Sequence, residues 1–479
     1  MNKIISNLFW KFAERIGSQL VSLILSTIIA RILDPADYGT MVLANVVITI
    51  LRVFVDSGLS TALIQKKDAD DLDFSTIFYA NIFLCILVYF VIYVSTPAVA
   101  DYYARPDLMQ IIRVLSLTLV ISGFTNVQNA YVAKNMIFKR LFFATLAGTL
   151  FSGITGIIMA KSGYGVWSLV VQQISYALIN TIVLWISVKW KPSLTFSFSR
   201  LRGLFSYSWK LLASALLDTG YGQLRQLMIA KFYSTEDLAY YSKGENFPVM
   251  LITNINASID SILLPSMSEI QDDKESVKAM MRKSIKTAVF VLSPMLLGLA
   301  AVADKVILIL LSEKWAESIP FMRMFCIIYL FYPIHTANLN AIKAMGRSDI
   351  FLKLEIIKKV VGISLIFISI RISVWAVCLS VLAGTTISLL INSWPNKILL
   401  DYSIVEQLVD LLPYLVLSAT MAVIVYLIGR LQLPMILLLI IQIASGISIY
   451  ITGSLLFRFE EFNDILSIVK KVLPTGSKQ

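Results

Sequence analysis

The stretch Leu411–Gly429, LLPYLVLSATMAVIVYLIG, decides the fold class because none of its nineteen residues carries a charge. A helix needs about 20 mostly apolar residues to cross about 30 Å of bilayer hydrocarbon. The stretch therefore predicts a membrane-spanning helix. Leu433–Phe457 predicts a second span that also lacks charged residues.

The composition extends this prediction to the whole chain of 479 residues. Hydrophobic residues make up 57% and charged residues 15%, whereas soluble domains carry about 25% charged residues. The apolar runs predict an all-α polytopic membrane protein with about 14 transmembrane helices. The predicted spans are 14–33, 39–63, 76–97, 108–132, 142–161, 164–188, 206–231, 245–268, 284–311, 319–342, 350–370, 373–395, 408–428 and 433–457.

The distribution of Lys and Arg predicts the orientation of these spans and accounts for the net charge of +11. With the N-terminus in the cytoplasm, cytoplasmic segments hold roughly three times as many basic residues as outer segments, which is the positive-inside pattern. We therefore expect both termini to be cytoplasmic, and we expect no nucleic-acid partner. The N-terminus does not follow a cleavable signal-peptide pattern, and the loops are too short to form a separate extramembrane domain.

An internal repeat predicts two lobes. The hairpin Ala30–Gly39 follows span one, and a related hairpin at Ala230–Phe247 follows span seven. Ile-Gln pairs at 64–65 and 270–271 end the two following spans. Six-helix repeats with a site at their interface are a transporter architecture. The predicted divisions are an N-lobe at 1–190 (spans 1–6), a C-lobe at 191–400 (spans 7–12), and spans 13–14 with the tail at 401–479.

Ionisable side chains inside the spans are the candidate functional residues. At the bilayer centre each costs at least ~2.5–3.5 kcal/mol on insertion scales, and it persists where it faces a cavity or a partner. Arginines bind phosphate oxygens in a bidentate geometry, so a net positive interior favours an anionic, phosphate-bearing substrate. The predicted phosphate-binding residues are Arg52, Arg225, Arg113 and Arg323. The predicted charge partners or coupling residues are Asp56, Asp218, Asp260 and His335.

Five of these residues admit two interpretations. Arg52 and Asp56 lie four residues apart, so they either form an ion pair that hides both charges or Asp56 orients Arg52 toward a wet cavity. Arg113 and Arg323 lie near the outer ends of their spans and could instead extend toward the membrane surface. His335 is either a hydrogen-bonded interior residue or a proton relay.

Amide and aromatic side chains give several spans a polar face. Such groups suit sugar hydroxyls and rings, and they also join helices within a membrane. The predicted glycan-facing residues are Tyr221, Gln223, Asn254, Asn256, Asn338 and Tyr332. No catalytic motif or metal-ligand spacing is present in the sequence, and we predict no enzyme activity, no metal and no cofactor.

These stretches together resemble the polysaccharide flippases of the MOP superfamily, of the Wzx colanic-acid exporter type, and the related teichuronic-acid exporters. The resemblance is carried by segments between residues 10 and 345. They are ARILDPADYG, DSGLSTALIQKKD, AKNMIFKR, GYGVWSLV, FSYSWKLLASALLDTGYGQLRQLMIAKF, LLPSMSEIQDDKE and LSEKWAESIPFMRMFCI.

The resemblance implies two six-helix lobes forming a V around a central cavity, with two extra C-terminal helices. It implies a bacterial cytoplasmic-membrane protein that moves undecaprenyl-diphosphate-linked repeat units between leaflets by alternating access. A polysaccharide polymerase or chain-length regulator is an implied partner, beside the lipid-linked glycan and membrane lipid. The hairpin turns Asp34–Gly39 and Ser234–Tyr241 would close the outer gate.

Three rival functions follow from the same observations. A drug or cation antiporter of the same superfamily would need an acidic cavity, and the apolar part of span one has no acidic residue. A membrane enzyme such as a glycan polymerase would need a large outer loop. A lipid II-type flippase would share the same physical features, and only a transport or complementation assay would separate it.

Overall fold

The computed structural model describes residues 2–56, 63, 64, 66 and 68–472, and within them all regular structure is helical. The side chains at 2–9, 12, 13, 15, 16, 204–208, 210, 211, 254, 258 and 468–472 lie outside this description. Gln65 of the predicted Ile64–Gln65 repeat pair also lies outside the described residues. The stretch 57–62, near the end of predicted span two, lies outside them as well.

The chain forms two compact units, Met1–Ala239 and Tyr240–Gln479. The boundary between Ala239 and Tyr240 falls just after the first turn of the helix Thr235–Glu269. The prediction of boundaries at 190 and 400 stays a prediction.

The first unit contains eight helices among the described residues, and a ninth begins in it. They are α1 (Asn2–Ile32), α2 (Pro35–Asp56), α3 (Asp71–Tyr103), α4 (Asp107–Leu115), α5 (Leu117–Lys134), α6 (Phe138–Lys161), α7 (Val166–Ser187), α8 (Phe198–Phe232) and α9 (Thr235–Glu269).

The second unit contains the remainder of α9, one short 3-10 helix, Glu313–Trp315, and nine further α-helices of the described chain. They are α10 (Lys274–Ala301), α11 (Ala303–Leu310), α12 (Ser318–Tyr329), α13 (Tyr332–Ala344), α14 (Ser348–Ser369), α15 (Val374–Leu399), α16 (Ile404–Ile428), α17 (Met435–Leu456) and α18 (Glu460–Val472).

These helices confirm the prediction of an all-α polytopic membrane protein. By length and composition, 11 helical segments of the described residues could cross a membrane. Helices α1, α8 and α14 coincide with the three other predicted spans, and each carries more charged or polar residues. The predicted spans therefore each match one helix or one broken pair of helices.

Three predicted spans are broken rather than continuous. The break between α4 and α5 falls at Ser116, and the break between α10 and α11 falls at Val302. The break between α12 and α13 falls at Leu330 and Phe331. Spans four and ten, which occupy the same place in the two predicted six-helix repeats, are both broken. Discontinuous helices in transporters commonly lie at binding sites.

The prediction of turns at Asp34–Gly39 and Ser234–Tyr241 is wrong for most of their length. Helix α2 begins at Pro35, because proline is favoured in the first helical turn, where its missing N–H is not needed. Helix α9 begins at Thr235, because Ser234 and Asp237 cap it reciprocally. The Asp237 amide donates to Ser234 Oγ at 3.0 Å, and the Ser234 amide donates to Asp237 Oδ2 at 3.2 Å.

Each unit has its own aromatic core near one end of its helices. In the first unit Phe74 and Phe78 of α3 pack around Trp190, with ring centroids 5.6 Å and 6.2 Å away. This contact fixes the extended segment between α7 and α8. In the second unit Tyr450 of α17 donates its hydroxyl to the Phe290 carbonyl of α10 at 2.8 Å. The extra C-terminal helices are therefore anchored to the second unit.

Candidate functional site

The Arg52–Asp56 pair lies on α2 and is only loosely closed. Arg52 Nε is 3.9 Å from Asp56 Oδ2, and the two side chains are 50% and 47% exposed. Asn126 of α5 donates to Asp56 Oδ1 at 2.9 Å. Among the described residues, Arg52 has no hydrogen-bonding partner. The aspartate is therefore held by a second helix, whereas most guanidinium donors of Arg52 remain available.

Two residues that the sequence analysis did not select lie near this pair. Tyr176 of α7 interacts electrostatically with Arg52 and with Glu14 of α1. Glu14 is an acidic residue of α1 that lies just before the apolar part of span one. Four helices of the first unit thus contribute polar groups around Arg52.

Arg113 of α4 is bonded to the backbone of α3. Its Nε and Nη2 atoms donate to the Tyr93 carbonyl at 3.3 Å and 3.2 Å, and its guanidinium lies 4.1 Å from the centroid of the Tyr93 ring. Pro97 lies four residues later in α3 and lacks the N–H that would normally bond this carbonyl. The Thr96 hydroxyl also donates to it, at 3.1 Å. Arg113 therefore supplies hydrogen bonds to the Tyr93 carbonyl in place of the backbone N–H that Pro97 lacks.

Arg323 of α12 makes the corresponding contact in the second unit. Its Nε donates to the Ala300 carbonyl at 3.3 Å, at the end of α10 beside the break at Val302. Its Nη2 lies 3.8 Å from Asp304 Oδ1 of α11. In each unit, an arginine of the first half of a broken span caps a carbonyl of the preceding span. This correspondence supports the six-helix repeat.

The predicted residues of span seven lie together on α8. Asp218 is exposed, whereas Arg225 is half-buried and lies seven residues along the helix, on the same face. Tyr221 and Gln223 are half-buried between them. Helix α8 packs against α2 and α3 within the first unit. The structure therefore brings spans two and seven together there.

Asn338 of α13 lies in a buried amide network instead of on an open surface. Its Nδ2 donates to Gln407 Oε1 at 2.8 Å, and its Oδ1 accepts from Asn396 Nδ2 at 2.8 Å. Asn338 is completely buried. The network joins α13, α15 and α16, which fits the second interpretation given for such amides, namely interhelical hydrogen bonding.

His335 also lies within hydrogen-bonding distance of a neighbouring helix. Its Nδ1 is 3.0 Å from Asn392 Nδ2 of α15. Lys358 of α14 interacts with it electrostatically and pairs with Glu355 at 2.5 Å, the two side chains being 14% and 26% exposed. Glu355 and Lys358 lie inside the predicted span 350–370, but neither was selected among the ionisable residues of the spans. The apolar residues on both sides of LEIIKK were the signal that could have identified them.

The remaining predicted residues lie on α9. Asp260 accepts a hydrogen bond from Asn340 Nδ2 of α13 at 2.8 Å. Asn256 is half-buried, and its Oδ1 has no hydrogen-bonding partner within the described chain. The side chain of Asn254 lies outside the described residues.

A further carboxylate of α9, Glu245, was not selected from the sequence. Tyr329, the last residue of α12, donates its hydroxyl to Glu245 Oε1 at 2.7 Å. Tyr332, the first residue of α13, packs edge-on against Tyr329 with centroids 4.8 Å apart. Tyr332 is 38% exposed. These three residues thus surround the break in span ten.

Arg105 follows α3 and joins the N-terminal ends of α4, α2 and α9 within the first unit. It donates to both carboxylate oxygens of Asp107, to Thr40 Oγ1 at 2.9 Å and to Thr235 Oγ1 at 3.2 Å. The hydrogen bonds that Arg105 donates to Asp107 raise the pKa of Arg105. Gly39 is needed beside this cluster, because a Cβ there would lie 1.7 Å from the Thr235 carbonyl oxygen. The N-terminal turns of α2 and α9 are thus in direct contact.

Comparison with known proteins identifies the family. The family model described as "Polysaccharide biosynthesis protein" matches residues 28–320, which is more than half of the chain. The chain belongs to this family. The match includes α2 to α11 and the Arg52–Asp56 pair, and it confirms the resemblance to polysaccharide flippases.

Three proteins with names that refer to polysaccharide biosynthesis or transport are similar to this chain. The succinoglycan biosynthesis transport protein ExoT of Rhizobium meliloti is 22% identical over 66% of this chain and 64% of its own length. The lipopolysaccharide biosynthesis protein WzxC of Escherichia coli is 24% identical over 74% of this chain and 73% of its own length. The teichuronic acid biosynthesis protein TuaB of Bacillus subtilis is 24% identical over 62% of both chains.

Two solved structures share the fold of this chain. The lipid II flippase MurJ, in an inward closed conformation, superposes with a TM-score of 0.74 at 15% identity, over 96% of this chain and 100% of that chain. An inward-facing multidrug resistance MATE transporter gives a TM-score of 0.66 at 15% identity, over 80% of this chain and 94% of that one. The chain is thus a multi-pass inner-membrane protein with a transporter fold.

Proposed function

We propose that this protein is a flippase that moves undecaprenyl-diphosphate-linked oligosaccharide repeat units across the bacterial cytoplasmic membrane by alternating access. The product would supply surface polysaccharide. The positive-inside pattern supports an orientation with both termini in the cytoplasm. The names of ExoT, WzxC and TuaB, which refer to polysaccharide biosynthesis, support this class of substrate.

The Arg52 guanidinium is the observation that carries the proposal. It is half-exposed inside a span, and Asp56 contacts it at 3.9 Å without a hydrogen bond. A guanidinium presents five N–H donors in a fork that matches two phosphate oxygens. Asn126 holds Asp56 in place, so Asp56 can orient Arg52 without satisfying its donors. A guanidinium with unsatisfied donors can bind a diphosphate and release it again during transport.

We assign the second phosphate contact to Arg225 on α8, which packs against α2. For Arg113 and Arg323, phosphate binding stays a prediction, and their bonds to backbone carbonyls leave fewer donors for an anion. Asp218, Asp260 and His335 remain proposed coupling residues. A polymerase or chain-length regulator remains a proposed partner.

The test measures flipping in proteoliposomes with the wild-type protein and three variants. Arg52→Ala should lower the transport rate of undecaprenyl-diphosphate-linked oligosaccharide about 100-fold, because two charge-assisted hydrogen bonds are lost. Arg225→Ala should lower it less. Arg371→Ala is the matched control, since this exposed arginine lies in the turn between α14 and α15. Normal transport by a stably folded Arg52→Ala protein would disprove the phosphate role.

A drug or cation antiporter is the second candidate, and Glu14 is the observation that favours it. This acidic residue of α1 interacts electrostatically with Tyr176 beside Arg52. An antiporter would protect cells from cationic drugs, and Glu14→Gln would abolish that protection. A flippase would leave drug susceptibility unchanged and would restore polysaccharide in a strain that lacks its own exporter.

A further inference from the structure

The contact between α9 and α12 fixes Glu245 in place. Gly244 lets the two helices approach closely, because a Cβ there would lie 2.8 Å from the Met322 amide nitrogen and 2.9 Å from the Ser318 carbonyl oxygen. Glu245 follows directly and reaches Tyr329 at the far end of α12. Glu245 lies ten residues beyond the first residue of α9, which is about 15 Å along the helix.

Glu245 is the first residue of the predicted span 245–268, and a carboxylate that enters a span requires a partner or a wet surface because ionisable groups in hydrocarbon are costly. Tyr329 satisfies one oxygen of Glu245, at 2.7 Å. Within the described residues the other oxygen, Oε2, has no hydrogen-bonding partner, and Glu245 is half-buried. One oxygen is thus anchored by the protein, and the other is open to an incoming donor.

Tyr332 provides an exposed apolar surface beside this carboxylate. Span ten breaks at Leu330 and Phe331, so Tyr329 and Tyr332 stand at the two helix ends on either side of the break. The edge-on packing on Tyr329 fixes the Tyr332 ring, which remains 38% exposed. A rigid aromatic ring next to a hydrogen-bond acceptor matches a sugar, which has an apolar C–H face and a rim of hydroxyl groups.

We propose that Glu245, Tyr329 and Tyr332 form a sugar-ring subsite for the glycan of the transported lipid, an inference that rests on the proposed function. Glu245 accepts a hydrogen bond from a sugar hydroxyl, Tyr332 packs against the ring, and Tyr329 positions Glu245. The negative charge repels phosphate and acidic sugars. The subsite therefore takes a neutral or amino sugar and disfavours the diphosphate.

The test compares the affinities of two probe lipids for the purified protein in detergent. One probe is bare undecaprenyl diphosphate, and the other is the same lipid carrying the oligosaccharide made by the host cell, extracted from its membranes. Tyr332→Ala should weaken binding of the glycan-bearing lipid about tenfold and leave binding of the bare lipid unchanged. Tyr332→Phe should bind both like the wild type, because the contact needs the ring and not the hydroxyl.

Variants of Glu245 separate a sugar contact from cation or proton coupling. Glu245→Gln keeps an acceptor and should lose less than threefold in affinity, whereas Glu245→Ala should lose about tenfold. Tyr329→Phe should lower the affinity for the glycan-bearing lipid by less than Glu245→Ala does, because Glu245 loses the hydrogen bond that positions it. If Glu245→Gln instead abolishes the sodium or pH dependence of transport, Glu245 is a coupling residue and the subsite is disproved.

The remaining outcomes separate the subsite from the proposed function. If the wild type binds both lipids equally and Tyr332→Ala changes neither affinity, the subsite is disproved while the flippase proposal stands. If the wild type binds neither lipid, both are disproved. Tyr332→Leu replaces Tyr332→Ala if the latter does not fold, as judged by its thermal unfolding, and it should show the same selective loss.

Discussion

Arg52 and Arg113 are both span arginines of the first unit, but their guanidinium groups are bonded in different ways. Arg113 donates twice to the Tyr93 carbonyl that Pro97 leaves without its helical partner. Within the described part of the chain, Arg52 makes no hydrogen bond, and its contact with Asp56 at 3.9 Å is loose. An arginine in a membrane can therefore repair the backbone or remain available for a ligand. The partner atoms, and not the depth of the residue, distinguish the two.

The largest expected difference comes from replacing each arginine with lysine. Lysine keeps the charge but loses the bidentate fork. Arg52→Lys should lower the flipping rate at least about tenfold, whereas Arg113→Lys should change it less than about threefold because one donor still reaches the Tyr93 carbonyl. Transport in proteoliposomes measures both rates. Equal losses in the two variants would remove the distinction.

Removing Arg113 should affect stability more than transport. Arg113→Ala should lower the free energy of unfolding by about 1–2 kcal/mol, because Thr96 alone then satisfies the Tyr93 carbonyl. In a Pro97→Ala background the same change should cost less, since the new alanine N–H can bond that carbonyl. Thermal unfolding of the four proteins in detergent gives this double-mutant cycle. Additive losses would show that proline does not create the need for Arg113.

Arg323→Ala tests whether the second unit repeats this arrangement. Its Nε makes a single hydrogen bond to Ala300 at the end of α10, so the variant should lose about 1 kcal/mol of unfolding free energy. The exposed Arg371→Ala serves as the control and should lose close to nothing. If Arg323→Ala loses no more unfolding free energy than this control, the second unit does not repeat the stabilising arginine–carbonyl contact of the first.

The smallest expected effect belongs to Asn126, which holds Asp56 at 2.9 Å. Asn126→Ala should slow flipping about two- to fivefold, because Asp56 can then close on Arg52 and compete with the phosphate. The double variant with Asp56→Asn should recover part of the rate, since the competing charge is removed. A normal rate in Asn126→Ala would show that Asp56 needs no support from α5.

The sequence indicated most helices correctly because apolar length alone specifies a span. It failed at the starts of α2 and α9, where Pro35 and the Ser234–Asp237 capping pair extend the helices into predicted turns. Those signals are local and could have been used. Glu245 could also have been selected, because it is the first residue of the predicted span 245–268 and an uncharged run follows it up to residue 259.

The sequence by itself determined the membrane class, the all-helical architecture and the family resemblance, because these depend on local hydrophobicity and on the order of short segments. Only the tertiary structure decided which charges are satisfied. The Tyr93 carbonyl lies 20 residues from Arg113, and Asn126 lies 70 residues from Asp56. Such partners depend on which helix faces pack together, and that packing joins residues whose separation along the chain carries no periodic signal.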